Sequence, residues 1–263
     1  MTLRNWLVGG IDNPFKKGQW GPLHIATMIV SIGLVVLFYF LVKRANNKDK
    51  ARKIIVSTLV LCILFFEVTS RILYAIKLYV LHQPEMAGTN LIWILLPKPW
   101  CAISCWALMI APLVKKDFFY NYASLSALLC SVIFFAYPGV GFNNVYLLFF
   151  NWYSILTHAL LLTTSLTLIV LKFTNFKYSN FWKFALCLVL TFIYGLIEIY
   201  VLKIQLDPMY FMPNGDIQAG ILNISYGLYL FLYITLIVVY VNAFYLVGDR
   251  QNIKKLFAKL KNR

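Results

Sequence analysis

A histidine stands in the middle of a long apolar stretch, His158 within Leu147–Val170, in a chain that has three histidines. An ionisable side chain at the centre of a lipid-length helix is costly unless it has a partner or a function. His158 is therefore a candidate functional residue. The structural alternative is that His158 forms a hydrogen bond that joins two membrane helices.

Cys101 is the candidate nucleophile because of the residues that precede it. Pro97 and Pro99 flank Lys98 directly before it. Two prolines break a helix, and at membrane depth the freed backbone groups need a wet or protein-lined cavity. Cys101 would then lie in the first turn of the restarted helix, where the helix dipole and Lys98 favour a thiolate. Cys105, one turn further along, is expected only to pack.

Four further ionisable residues lie in or at the ends of apolar stretches. Glu67 and Arg71 are spaced i, i+4, so they either neutralise one another or serve a site. Glu198 is a lone carboxylate in a later apolar stretch, which is a feature of functional positions in membranes. His24 lies at the start of the first apolar stretch. At 1.5 Å per residue, Glu67 and His158 both lie ~20 Å from the ends of their segments.

The composition of the chain requires a membrane around these residues. With 61% hydrophobic and 13% charged residues and a mean hydropathy of +0.76, the 263-residue chain has more apolar surface than a soluble domain can bury. Seven apolar runs reach about 20 residues, the length that crosses a bilayer. They lie at roughly 22–42, 54–80, 91–114, 120–137, 145–171, 182–203 and 221–247. Because backbone hydrogen bonds must close within each segment in lipid, we predict one all-α domain, residues 1–250, a bundle of seven transmembrane helices.

The basic residues predict the orientation of this bundle. Most of the 24 Lys and Arg residues fall on one side of the predicted helices. The positive-inside rule places that side in the cytoplasm, so the N-terminus is predicted outside and the C-terminus cytoplasmic in a multi-pass protein of the cell membrane. The basic residues on that side include Lys43, Arg44, Lys48, Lys50, Arg52, Lys53, Lys115, Lys116, Lys172, Lys177 and Lys183.

The net charge of +15 predicts lipid partners instead of nucleic acid. The basic residues follow the ends of hydrophobic helices and form no patch on a soluble domain, so anionic headgroups at the cytoplasmic face are the expected partners. Residues 251–263 are predicted to form a basic amphipathic tail on the inner membrane surface. Its apolar face is formed by Ile253, Leu256, Phe257 and Leu260.

The five cysteines give no sign of a disulfide framework or of a cofactor. All five lie inside predicted spans, and their spacing contains no C-x-x-C pair. No cofactor and no metal are therefore expected. A zinc ion held by Cys101, His158 and a carboxylate is a minor alternative.

Several short motifs occur in the same order as in a known family. They are Pro22–Leu23–His24, Glu67 with Arg71, the Leu96–Pro97 pair before Cys101, and His158 followed by leucines. In these features, over roughly residues 20–205, the chain resembles the YwaF-like bacterial integral membrane proteins. That family is distantly similar to an animal transmembrane acyltransferase that remodels ether phospholipids with a cysteine and a histidine inside the bilayer.

The resemblance implies a catalytic pair, Cys101 as nucleophile and His158 as general base. Two positions depart from the family pattern. Pro99 stands where the family often has a histidine, and Pro208–Met209–Tyr210 stands where Asn-Tyr-Met is usual. If that histidine is needed for the chemistry, the activity here is lost or changed.

The leading hypothesis is transfer of an acyl chain between lipids through a thioester on Cys101. In it, Arg71 and Lys98 bind the lipid phosphate, and Glu67 or Glu198 fixes the tautomer of His158. A solute or proton-coupled transporter is the first alternative, because broken helices and midplane charges also form transport sites. A non-enzymatic scaffold or accessory subunit is the second. It predicts that Cys101 and His158 never meet and that every buried charge is satisfied within the bundle.

Overall fold

The computed structural model describes residues 20–82, 90–136, 142, 149–203, 207, 209–213 and 222–250, and within these the regular structure is helical throughout. The α-helices are α1 (Pro22–Arg44), α2 (Lys48–Ala75), α3 (Leu91–Leu95), α4 (Trp100–Val114), α5 (Asp117–Ala136), α6 (Phe149–Val170), α7 (Phe181–Tyr200) and α8 (Tyr226–Gly248). A π-helical turn, Ile76–Val80, extends α2, and a 3-10 turn, Tyr178–Asn180, precedes α7. The amphipathic tail predicted at 251–263 lies outside the described residues.

Six helices in the described part of the chain are long and apolar enough to cross a membrane, namely α1, α2, α5, α6, α7 and α8. They confirm the all-α prediction and indicate a multi-pass membrane protein. The seventh predicted run, 91–114, differs from the other six. It is divided into α3 and α4 by the prolines at 97 and 99, and α4 alone has 15 residues.

Helices α5 and α6 form the centre of the bundle. The share of residues buried within the most apolar part of each helix is 72% for α5 and 50% for α6, against 17% for α1 and α8. The outer helices have mostly apolar, exposed side chains, whereas α5 buries several polar ones. Asn121, Ser126 and Ser131 hydrogen-bond inside the protein, and Ser124 has no such partner among the described residues. The buried polar residues of α5 are Asn121, Ser124, Ser126 and Ser131.

The basic segments of the chain meet at one end of the bundle. Arg52, near the start of α2, donates hydrogen bonds to the carbonyls of Leu171 and Lys172 after α6. Asn121 and Asn175 exchange hydrogen bonds of 2.8 Å in both directions, which joins the start of α5 to the loop before α7. We call this end, with residues 43–53, 115–117, 172–178 and 249–250, the basic end.

The opposite end of the bundle is called the far end. Helix α1 begins there, because His24 contacts Phe135 in the last turn of α5 at a ring separation of 5.8 Å. Helix α8 ends at the basic end, where Asp249 accepts a 3.1 Å hydrogen bond from the backbone N–H of Tyr178. Helix α1 therefore begins at the far end of the bundle, and helix α8 ends at the basic end.

Candidate functional site

A cavity of about 480 Å³ lies in the far half of the bundle, enclosed by α2, the break between α3 and α4, and helices α5 and α6. Most of its lining side chains are aromatic or aliphatic. Four of the residues that the sequence singles out line it together, and they are Arg71, Lys98, Cys101 and His158. The folding of the chain thus brings the predicted nucleophile, the predicted base and two cations to one hollow at membrane depth.

His158 is held by two contacts. Its Nδ1 lies 2.7 Å from the carbonyl oxygen of Ser154, one turn earlier in α6. Its ring stacks on Phe134 of α5, with centroids 3.8 Å apart and planes 6° from parallel. A neutral imidazole that donates from Nδ1 to a carbonyl keeps a lone pair on Nε2. Its Nε2 has no hydrogen-bond partner within the described ranges.

Cys101 lies in the first turn of α4, as the sequence predicts. Helix α4 begins at Trp100 after an extended Pro99, whose carbonyl accepts from the backbone N–H groups of Ala102 and Ile103. Cys101 is half-buried and borders the cavity, whereas Cys105 is fully buried in the core. The helix start that the sequence predicts at Cys101 is thus present in the structure.

Glu67 and Arg71 form the ion pair that their spacing allows. The guanidinium Nη1 of Arg71 lies 2.6 Å from Glu67 Oε2, which also accepts a 3.2 Å hydrogen bond from Trp106. The other carboxylate oxygen accepts a 2.6 Å hydrogen bond from the hydroxyl of Tyr153. Glu67 is therefore fully engaged beside the cavity, and its pairing positions the Arg71 guanidinium at the cavity wall.

The break between α3 and α4 is held by side chains from two other helices. Arg71 Nε donates to the carbonyl of Leu95 at 3.2 Å, and the Tyr194 hydroxyl donates to the carbonyl of Pro97 at 3.3 Å. These contacts satisfy backbone carbonyls that an unbroken helix would have paired, as irregular backbone at membrane depth requires. Lys98 donates to the Trp93 carbonyl and lies over the Trp93 ring.

Glu198 and His24 are buried outside the cavity lining. Glu198 is fully buried in α7, and neither carboxylate oxygen has a hydrogen-bond partner in the described part of the chain. It lies within electrostatic range of Lys98. His24 is also fully buried, with both ring nitrogens unpaired there, and it packs among the rings of Trp20, Phe135 and Phe142. These two supporting candidates therefore do not line the cavity of Cys101 and His158, although Glu198 lies near Lys98 in its wall.

One expectation about the histidine is wrong. Glu67 and Glu198 were the expected holders of its tautomer, but the Nδ1 of His158 contacts the carbonyl of Ser154 instead. The carboxylate of Glu67 is occupied by Arg71, Trp106 and Tyr153. A backbone carbonyl one turn away fixes the ring without placing a second ionisable group in the apolar interior.

Sequence reasoning also missed several cavity residues. They include Tyr74, Phe134, Tyr153, Ser154, Cys130 and Tyr210. Ser154 carries a readable signal, since it lies four residues before His158 on the same helix. Tyr74 and Tyr153 likewise lie on the helices of Arg71 and His158. Cys130, Phe134 and Tyr210 come from elements that carry no predicted site residue, so their spacing along the chain gives no indication of their role.

Within the described ranges, no group of three or more His, Cys, Asp or Glu residues is arranged to hold a metal ion. The minor zinc alternative is thus without support among these residues. Comparison of the chain with protein-family models, curated proteins and solved structures finds no match.

Proposed function

We propose that the protein is an integral membrane acyltransferase that carries the acyl chain on Cys101 and uses His158 as its base. One observation carries the proposal. A thiol at the start of α4 and an imidazole on α6, whose Nε2 has no hydrogen-bond partner among the described residues, line the same cavity. Covalent acyl transfer needs a base that can reach the nucleophile, and two side chains that line one cavity support this arrangement. The resemblance to the YwaF-like family, which stays a prediction, supports the same pair.

The reaction follows from the two side chains. His158 Nε2 takes the thiol proton, and the Cys101 sulfur attacks the ester carbonyl of the acyl donor. The ester C–O bond breaks, the acyl group stays on sulfur as a thioester, and the departing alkoxide receives the proton from the imidazolium. An acceptor hydroxyl then loses its proton to His158, attacks the thioester and releases the thiolate. The thiolate recovers the proton, which restores the site.

The cavity favours a phosphate-bearing lipid as substrate. Arg71 and Lys98 line it together with mostly apolar side chains, so a negative headgroup and a hydrocarbon chain both find partners. A volume of about 480 Å³ lies in the range of small-molecule sites. It accommodates the ester region and part of one chain, and the remainder of the lipid would stay in the membrane.

The proposal includes seven membrane crossings in the cell membrane, with the N-terminus outside. Helix α2 runs from the basic end to the far end, and α5 starts again at the basic end. The chain between them, which contains α3 and α4, must therefore return across the bundle. Lipid partners with anionic headgroups at the basic end belong to this topology.

The test compares matched cysteine and histidine variants of the purified protein in lipid. Cys101→Ala should abolish acyl exchange and remove a hydroxylamine-sensitive acyl label, because no thioester can form. His158→Ala should slow exchange by about 10² to 10⁴. The controls are Cys187→Ala and His82→Ala, which lie outside the cavity lining and should keep the rate. Exchange that survives both Cys101→Ala and His158→Ala rejects the mechanism.

A transporter is the second candidate, because one observation favours it. Glu198 is a fully buried carboxylate without a hydrogen-bond partner among the described residues, close to a broken helix. A buried carboxylate beside a broken helix can bind and release a proton or a cation during transport. An activity that requires a sealed vesicle supports the carrier, whereas acyl exchange in detergent micelles supports the enzyme.

The scaffold alternative fits less well. It requires Cys101 and His158 on separate faces and all buried charges paired. The two residues line one cavity, and Glu198 has neither oxygen hydrogen-bonded within the described ranges. A cysteine-reactive acyl probe that fails to label the folded protein would favour the scaffold.

A further inference from the structure

A short segment after α7 reaches the cavity from outside the helices that enclose it. We call residues 209–213 the strap. Met209 is fully buried, and the Phe211 ring packs against Phe192 of α7 at 5.5 Å. The Asp207 carboxylate accepts from the backbone N–H groups of Phe211 and Met212 at 2.9 and 3.2 Å. The strap is therefore fixed at its start by burial and by hydrogen bonds.

Helix α8 holds the strap through three tyrosines, which we call the clamp. Tyr233 donates its hydroxyl to the carbonyl of Met209 at 2.7 Å, Tyr229 to that of Tyr210, and Tyr226 to that of Phe211 at 3.1 Å. The clamp residues follow one another at i, i+3 and i+7, so they share one face of α8. The carbonyls of three consecutive strap residues thus accept hydrogen bonds from tyrosines on successive turns of α8. Apolar packing alone would be served equally well by phenylalanine, which lacks the hydroxyl.

Tyr210 is the strap residue that lines the cavity. Its backbone has a φ of 56°, in the left-handed region that non-glycine residues adopt at a cost of about 1 kcal/mol or more. The clamp bonds on either side of it and at its own carbonyl keep this conformation. The other described residues that line the cavity belong to the α2 to α6 region, so Tyr210 contributes to the cavity wall from a separate element.

We propose that Tyr210 determines which molecules reach Cys101. The clamp fixes the strap, and the Tyr210 ring then limits the width of that side of the cavity. Thin extended groups, such as a single hydrocarbon chain bearing an ester, pass it, and bulky rigid groups do not. Tyr210 acts as a specificity-determining residue. The consequence for substrate choice rests on the proposed function, whereas access to the Cys101 thiol does not.

The experiment uses the thiol itself as the reporter. The full-length protein in detergent is treated with a small reagent, methyl methanethiosulfonate, or a bulky one, N-(1-pyrenyl)maleimide, and peptide mass spectrometry reads modification at Cys101 alone. Tyr210→Ala should raise the rate with the bulky reagent by about tenfold or more and leave the small-reagent rate within about twofold. Tyr229→Phe, which keeps the ring and removes one clamp bond, should raise the bulky rate by about fivefold.

Tyr240→Phe is the matched control. The Tyr240 hydroxyl donates to the carbonyl of Leu125, so this variant also removes one tyrosine-to-carbonyl bond from α8, but away from the strap. It should leave both rates unchanged. The proposal is overturned if the bulky rate does not rise in Tyr210→Ala, or if Tyr240→Phe raises it as much as Tyr229→Phe. Acyl exchange that is absent while these alkylation differences hold rejects the proposed function and keeps the role of Tyr210.

Discussion

At the scale of single residues, the imidazole of His158 is oriented by two contacts of different kind. The hydrogen bond to the Ser154 carbonyl selects the tautomer, and the stack on Phe134 fixes the plane of the ring. Both contacts use uncharged groups, which cost less in an apolar interior than a buried carboxylate would. If His158 is the base of the proposed reaction, substrate binding need not reorganise its ring.

The stacking contact should matter for the proposed reaction. Phe134→Leu keeps an apolar residue but removes the ring, and aromatic pairs of this kind contribute about 0.5 to 1.5 kcal/mol. We expect acyl exchange to slow by up to about tenfold, with the small-reagent alkylation of Cys101 unchanged. Phe135→Leu is the control, because Phe135 packs on His24 and not on His158. Equal slowing in both variants would show that general packing, and not the stack, sets the rate.

The buried ion pair gives a prediction that does not depend on the function. Tyr153→Phe removes the hydroxyl that donates to Glu67 Oε1 and leaves that buried oxygen without its donor. We expect a loss of about 1 to 3 kcal/mol in the free energy of unfolding, visible as a lower thermal midpoint in detergent. Tyr39→Phe is the control, since Tyr39 is 43% exposed on α1. An unchanged midpoint in Tyr153→Phe would mean that the hydroxyl contributes nothing to the Glu67 site.

The sequence predicts some residues of the site and not others. The reactive residues stand out because ionisable or thiol side chains in apolar runs are few, and Ser154 follows from its spacing to His158. Phe134, Tyr153 and Tyr210 could not be found in this way. Their roles depend on how α5, α6 and the strap are rotated about their axes, and packing between helices sets that rotation.

At the scale of helices, the broken segment follows directly from proline chemistry. Pro97 and Pro99 lack the N–H that an unbroken helix would need, so α3 ends and α4 restarts at the position that the sequence predicts. Hydropathy likewise predicts the six long helices, because lipid-facing surfaces must be apolar. The partners of the break were not predictable, since Arg71 and Tyr194 reach its carbonyls from distant parts of the chain.

The end of α8 shows how tightly the basic end is packed. A methyl group added at Gly248 would lie 2.6 Å from Phe176 Cβ and 2.9 Å from its carbonyl oxygen, so the backbone would have to move. We expect Gly248→Ala to lower the stability by about 1 to 3 kcal/mol. Gly227→Ala is the matched control in the same helix, where nothing lies within 4 Å of the added carbon. Its stability should stay the same or rise by up to about 1 kcal/mol.

Both glycine variants can be measured by thermal unfolding in the same detergent. A midpoint that falls in Gly248→Ala and holds in Gly227→Ala supports close contact between α8 and the loop before α7. Equal midpoints would show that the loop moves aside at little cost. In that case the Phe176 contact would contribute little to holding the basic end together.

At the scale of the whole molecule, most of the basic side chains and the candidate site lie in opposite halves of the bundle. The Lys and Arg side chains of residues 43–53, 115–117 and 172–178 lie at the basic end, whereas the cavity lies toward the far end. If the basic end faces the cytoplasm, as the positive-inside rule predicts, the cavity lies in the outer half of the membrane. Under the proposed function, the lipid substrates would then come from the outer leaflet.

This arrangement depends on whether the third apolar segment crosses the membrane. Helix α4 alone rises ~22 Å, but α3, the extended break and α4 together span ~40 Å, which exceeds a ~30 Å hydrocarbon core. His82 is exposed before the segment, and Lys116 is exposed after it. With seven crossings, the two residues stand on opposite sides of the membrane.

A cysteine introduced at each of these two positions shows by its labelling on which side of the membrane that position lies. In intact cells, a membrane-impermeant maleimide should label His82→Cys, whereas Lys116→Cys should react only after permeabilisation. The native chain, whose five cysteines are half-buried or buried in helices, is the control for background labelling. Labelling of both variants from one side would mean that the segment turns back within the membrane and that six crossings remain. Labelling of Lys116→Cys alone from outside would keep seven crossings but invert the protein, and the lipids of the proposed reaction would then come from the cytoplasmic leaflet.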